Sequence, residues 1–268
     1  MDSRYPEVAA DKVLVELRIS GPEDLQLLDQ IVYARGGIVR EDNLVGAEAR
    51  LTHVRGSSII TVSSKLTSLE RKRFGVSHEL GHLEMHPGLF TCSDTDIVEQ
   101  EVPQSKKRES QANHFASAFL LPARFVKDVF TENIPPTFDL LIEISSTYRV
   151  SLTATALRMT KYSQEPVAVV YSERGRIRWF RGTDDFDSLG IFVDVRGPVN
   201  SRSVAGRLFS GKVIRDGWRE VPAEFWLREG GYREDATIKE SSLHMPKYES
   251  VLTLLWVDEI IEHDELLF

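Results

Sequence analysis

The stretch Ser77-His78-Glu79-Leu80-Gly81-His82-Leu83-Glu84-Met85-His86 decides how this chain is read. It contains H-E-x-x-H, two histidines four residues apart with a carboxylate directly after the first. With 7 His and 41 Asp plus Glu in 268 residues, chance gives this pattern an expectation of about 0.03. Side chains four apart share a helix face, so the imidazoles of His78 and His82 can hold one tetrahedral Zn²⁺ at about 2.0–2.1 Å each. Glu79 is offset from them. It can reach a water in the open position of such a site and act as general base without being a ligand.

The flanks support a helix over 67–86. Thr67-x-x-Glu70 is a capping-box pattern that would start it, and Pro87-Gly88 would end it. Leu69, Val76, Leu80 and Leu83 fall on one stripe, which predicts a core face, with His78 and His82 roughly opposite. Gly75 falls on the histidine side, where a small residue leaves room. A catalytic zinc needs a third protein ligand. "RESQANHFASAFLLP" (108–122) offers Glu109, which on a helix shares its face with Ala112, Asn113, Ala116 and Leu120. Two alanines beside a carboxylate let the two helices approach closely. Asn113, one turn on, is placed to hold that carboxylate from behind. His86 is the rival ligand. A straight helix carries it about 6 Å further along the axis, so three histidines at i, i+4 and i+8 cannot all reach one ion. His86 is therefore read as a hydrogen-bonding or cleft residue. No oxyanion stabiliser is evident; His86 and Tyr148 are the candidates. His114 points away from the Glu109 face, and Cys92 sits in a polar loop with no assigned role.

Working outward, "EDLQLLDQIVYARGG" (23–37) reads as a helix closed by glycines, and "SSIITVSS" (57–64) as a β-branched strand. That strand precedes the catalytic helix and is expected to pair with an extended substrate segment. Residues 88–105 read as an acidic loop, followed by a helix over about 107–121 that stops at Pro122. "NIPPTF" (133–138) is a breaker. Two short helices, about 138–147 and 152–162, flank "YRVS" and resemble a helix-turn-helix. From Pro166 the character changes: "VAVVYSERGRIRWFRG" reads as a hairpin, and all four tryptophans lie beyond Pro166. A domain boundary is placed near 163–166.

The formal charge is −8, and an acidic chain is repelled by nucleic-acid phosphates. Within 138–162, Asp139 and Glu143 oppose Arg149, Arg158 and Lys161, too small an excess for DNA reading, so a structural or docking role is expected there. One cysteine, no apolar leader and no apolar run near the roughly 20 residues of a membrane span predict a soluble cytoplasmic protein.

"RKRFGVSHELGHLEMHPG" followed by "ESQANHFASAFLLP" resembles the ImmA/IrrE family of metallopeptidases. The matching residues are Phe74, His78, Glu79, Leu80, Gly81, His82, Glu109, Ala112, Asn113, Phe115, Ala116, Leu120, Leu121 and Pro122. The likeness spans roughly 20–160. Ser77 stands where alanine is common, and beyond 165 the likeness is loose. The resemblance implies a gluzincin-like peptidase that cleaves a helix-turn-helix transcriptional repressor in a stress or mobile-element response. Zn²⁺ is the expected metal, with Mn²⁺ or Fe²⁺ as alternatives. The rival reading is a metal-bound sensor that sequesters the repressor uncut. The fold expected is α+β: a zincin-like domain over 1–163, including the helix-turn-helix-like helices, then a β-rich domain over 164–268. By analogy with relatives, the second domain is either a GAF-like sensory module or a structural cap.

Overall fold

The computed structural model describes residues 4–54, 56–86, 102–132, 135–228 and 235–257. The Pro87-Gly88 helix end, Cys92 and most of the expected loop 88–105 lie outside those residues. The fold is α+β and divides into two compact units. One is Met1–Val126 with Ile144–Ala154; the other is Lys127–Glu143 with Thr155–Phe268.

The first unit opens with three helices, α1 (Tyr5–Glu16), α2 (Pro22–Leu25) and α3 (Leu28–Ala34). The single helix expected over 23–37 is thus two. It does end as the glycines require: Gly36 adopts φ 81°, the left-handed conformation that a side chain disfavours. Strands β1 (Gly37–Asp42), β2 (Ala49–Val54) and β3 (Ser57–Ser63) follow, in the order β1-β3-β2. β3 runs parallel to β1 and antiparallel to β2. The expected strand is therefore central, with both its edges used, and cannot pair with a substrate; among the described residues, β2 has a free edge. Behind the sheet lies the long helix α4 (Leu69–Met85), crossed by α5 (Val102–Leu120).

α4 begins one residue later than the capping-box reading. Ser68, not Thr67, is the cap: its Oγ accepts the Arg71 N–H at 3.2 Å and donates to Glu70 Oε2 at 2.5 Å. Val76 and Leu80 are buried as expected, but Leu69, in the first turn, is half exposed. α5 begins at Val102, earlier than the expected 107, and ends before Pro122. Its buried face is Ala112, Phe115, Ala116 and Phe119. α1 packs Ala10, Val13 and Leu14 inward and contacts both α4 and α5.

Helix α6 (Ala123–Glu132) follows Pro122, and α7 (Phe138–Tyr148) and α8 (Leu152–Met159) form the expected tandem pair. The second unit is built on a five-stranded antiparallel sheet. Its strands are β4 (Val167–Glu173) and β5 (Arg176–Gly182), then, after short helices α9 (Asp184–Ser188) and α10 (Val204–Phe209), β6 (Arg219–Pro222), β7 (Thr237–Met245) and β8 (Ser250–Trp256). The order is β5-β4-β8-β7-β6. β4 and β5 form the expected hairpin, turned at Arg174 and Gly175, both with positive φ. Ala168, Val170, Phe186, Trp226, Ile238 and Leu255 belong to its apolar core. Within it, the buried Glu240 carboxylate accepts the Val204 and Ala205 N–H groups at 3.0 and 2.8 Å, pinning α10 to the sheet. Among the described residues, no helix is long and apolar enough to cross a membrane.

Candidate metal centre

α4 and α5 cross where the sequence permits a close approach. Gly81 is the reason: a Cβ there would lie 3.0 Å from the Phe115 ring. The crossing sets Glu109, on α5, over the two histidines of α4. His78 Nε2 lies 3.2 Å from Glu109 Oε2, and His82 Nε2 lies 3.3 Å from Glu109 Oε1. The two Nε2 atoms are 3.1 Å apart. One donor atom from each residue falls within 4.8 Å of the others.

The other ring nitrogens are engaged. His78 Nδ1 meets Asn113 Oδ1 at 2.9 Å. His82 Nδ1 meets His86 Nδ1 at 3.1 Å, and His86 Nε2 meets Gln111 Oε1 at 3.1 Å. Asn113 therefore orients a histidine, whereas the expectation from sequence paired it with the Glu109 carboxylate. Asn113 and Glu109 share a face of α5, and that face meets His78 first. His86 stands behind His82, hydrogen-bonded to its Nδ1. Gln111 carried no sequence signal; only the crossing brings it to His86. Tyr148 is buried, and its hydroxyl is pushed up by burial and by the charge of Glu23. His114 is exposed.

Two imidazole Nε2 atoms and one carboxylate facing a common point, with the Nδ1 atoms held from behind, fit a divalent ion with an open position. Burial and the neighbouring His78 push the His82 imidazole down to about 4. At neutral pH His82 is then uncharged, the form that ligates a metal.

Glu79 is half-buried on the β2 side of α4. Its Oε2 accepts the Leu51 N–H at 3.0 Å. That amide points away from β3, so by strand alternation the backbone groups of Ala49, Leu51 and His53 face the free edge of β2. Burial pushes the Glu79 carboxyl up; His78 and the Leu51 amide offset part of that rise. A carboxylate moved towards neutral pH is a better proton acceptor. Phe74 lies partly exposed beside His78, ring centroids 6.4 Å apart. Gly75 packs against β2: a Cβ there would lie 3.1 Å from the Ala49 Cβ.

Residues 38–160 match the family model described as Peptidase_M78, IrrE N-terminal-like domain. A solved structure of a "Mycobacterium tuberculosis transcriptional regulator" has a similar fold. Its TM-score is 0.62 at 16% sequence identity, over 94% of this chain and 75% of that one. No curated protein sequence matches the chain.

Proposed function

The chain belongs, through residues 38–160, to the Peptidase_M78 family of IrrE N-terminal-like domains, and from that premise we propose that it is a zinc-dependent endopeptidase. Its substrate in this reading is a helix-turn-helix transcriptional repressor, cleaved to relieve repression in a stress or mobile-element response. The observation that carries the proposal is the meeting of His78, His82 and Glu109, with Glu79 beside them.

His78, His82 and Glu109 would hold the ion. When bound, it supplies Lewis acidity that polarises the scissile carbonyl. Glu79 takes a proton from the attacking water and delivers one to the leaving amine. The Leu51 amide keeps Oε2 of Glu79 in place, leaving Oε1 for that traffic. An extended substrate segment pairs with the free edge of β2 through the outward groups of Ala49 and His53. The second unit, with its short helices and antiparallel sheet, serves as a GAF-type sensory or a structural module.

The test is Glu79→Gln. Glutamine keeps the shape but cannot accept the proton, so cleavage falls by about 10²–10⁴-fold. Metal content and repressor binding stay at wild-type levels. The rival sensor reading draws on the likeness in fold to a transcriptional regulator. If Glu79→Gln derepresses target genes as well as wild type does, sequestration is the mechanism and the peptidase reading fails.

A further inference from the structure

We propose that the cavity walled by α2, α3, β1 and α4 in the first unit is a binding site for a small anion, with Arg73 as its anchor. The ligand carries a carboxylate or phosphate group on a compact, partly apolar body. The proposal is independent of the peptidase reading.

The cavity has a volume of about 430 Å³, within the roughly 300–1,000 Å³ of small-molecule pockets. Val39, Val62 and Val76 supply apolar wall, and Arg40, Lys72 and Arg73 supply positive charge. Arg73 is only 5% exposed. One of its Nη atoms donates to the Leu25 carbonyl at 2.9 Å. Its Nε is buried and has no partner, and the Oε1 of Gln26, another lining residue, is likewise buried and unpartnered. Arg149, a charge of the same sign, acts on the guanidinium. Burial and Arg149 push Arg73 down to about 10, which still leaves it charged at neutral pH.

A buried charge is tolerated when an opposite charge and hydrogen bonds compensate it. Neither acid of the lining does so. Glu41 pairs with Lys72 at 2.7 Å, and no contact joins Asp29 to Arg73 among the described residues. The Leu25 carbonyl satisfies one donor but brings no charge. A water would leave the guanidinium unneutralised. An anion held in the cavity supplies the missing opposite charge to the Arg73 guanidinium and rests its remaining atoms on the valine wall.

The test is calorimetric titration of the full chain with inorganic phosphate, acetate and hexanoate. At least one is expected to bind saturably at one site per chain. A phosphate-only response assigns a phosphorylated ligand; hexanoate binding more tightly than acetate assigns a carboxylate with an apolar tail. Arg73→Met should weaken binding by about 10–100-fold, the worth of a charge-assisted hydrogen bond. It should also melt no lower than wild type, because it removes an uncompensated buried charge. Leu69→Trp, at a half-exposed lining residue, should obstruct the cavity and weaken binding while leaving Arg73 in place. Metal content is followed in both variants, so that damage to the histidine site is seen separately. The proposal is overturned if no probe saturates, or if Arg73→Met binds as wild type does. If Arg73→Met does not fold, Arg73 is a structural clip on Leu25 unless Leu69→Trp abolishes a binding that wild type shows.

Discussion

His78 has two ring nitrogens, and Asn113 engages one of them. With Nδ1 held at 2.9 Å, Nε2 is the nitrogen turned towards His82 and Glu109. Asn113→Ala removes that restraint without touching a ligand. Metal affinity is expected to fall by about 10–100-fold, as measured by competition with a chromogenic chelator; unchanged affinity would leave Asn113 without this role. His82 gives a second prediction, in the metal-free protein. Burial first, then His78, holds its imidazole at about 4 against 6.5 in the unfolded chain. Between these values the unfolded state binds the proton and the native state does not, so acidification favours unfolding. The contribution is fully present above pH 6.5 and is lost as pH falls towards about 4. Urea unfolding of the apo-protein across that window should show stability dropping with pH, with a shallower slope in His82→Gln. An equal slope in both would assign the pH dependence to other groups.

The candidate ligands lie in two short motifs, but the geometry that joins them belongs to helix crossing. Gly81 lets the Phe115 ring lie directly on the α4 backbone. Gly81→Val should force the helices apart at a cost of about 1–3 kcal/mol, the usual range for overpacking. It should also weaken metal binding, because Glu109 rides on the displaced helix. Phe115→Leu in the same chain should restore part of both. A Gly81→Val protein with wild-type melting and metal affinity would show that the crossing does not depend on this contact. The same logic explains what the sequence disclosed. The meeting of His78, His82 and Glu109 was legible because metal chemistry restricts residue type and spacing together. The tandem helices and the β4–β5 hairpin were legible from local periodicity and turn residues. The target of Asn113, the central place of β3 and the split of 23–37 were not. Each depends on partners distant in the sequence, and periodicity reports only which face of an element is apolar. Ser68 supplanted Thr67 because either residue satisfies a capping pattern, and a one-residue shift in helix start chooses between them.

The composition shift at 163–166 has a structural counterpart, though not a slack one. Here the chain enters β4, which is paired on one side with β5 and on the other with β8. Its approach is tied down as well. The Glu165 carbonyl accepts the Thr183 hydroxyl at 2.8 Å, the Glu165 carboxylate accepts the Trp256 indole N–H at 3.0 Å, and the Pro166 carbonyl accepts the Val257 N–H at 3.1 Å. The division by contacts and the boundary read from sequence differ over 127–143 and 155–163, which the contacts assign to the second unit. A protease needs several residues of unfolded backbone to cut. Opening 160–170 would require breaking these bonds and lifting β4 out of the middle of the sheet. Limited proteolysis of the native protein, read by intact-fragment mass spectrometry, is therefore expected to leave 160–170 uncut in its earliest products. Glu165→Ala/Thr183→Val, which removes side-chain ties on the approach, should bring cleavage forward within 160–166, while 167–170 stays protected by the strand pairing of β4. An early wild-type cut within 160–170 would mean instead that these bonds open readily, and that the residues before Val167 behave as a true linker between independently folding halves.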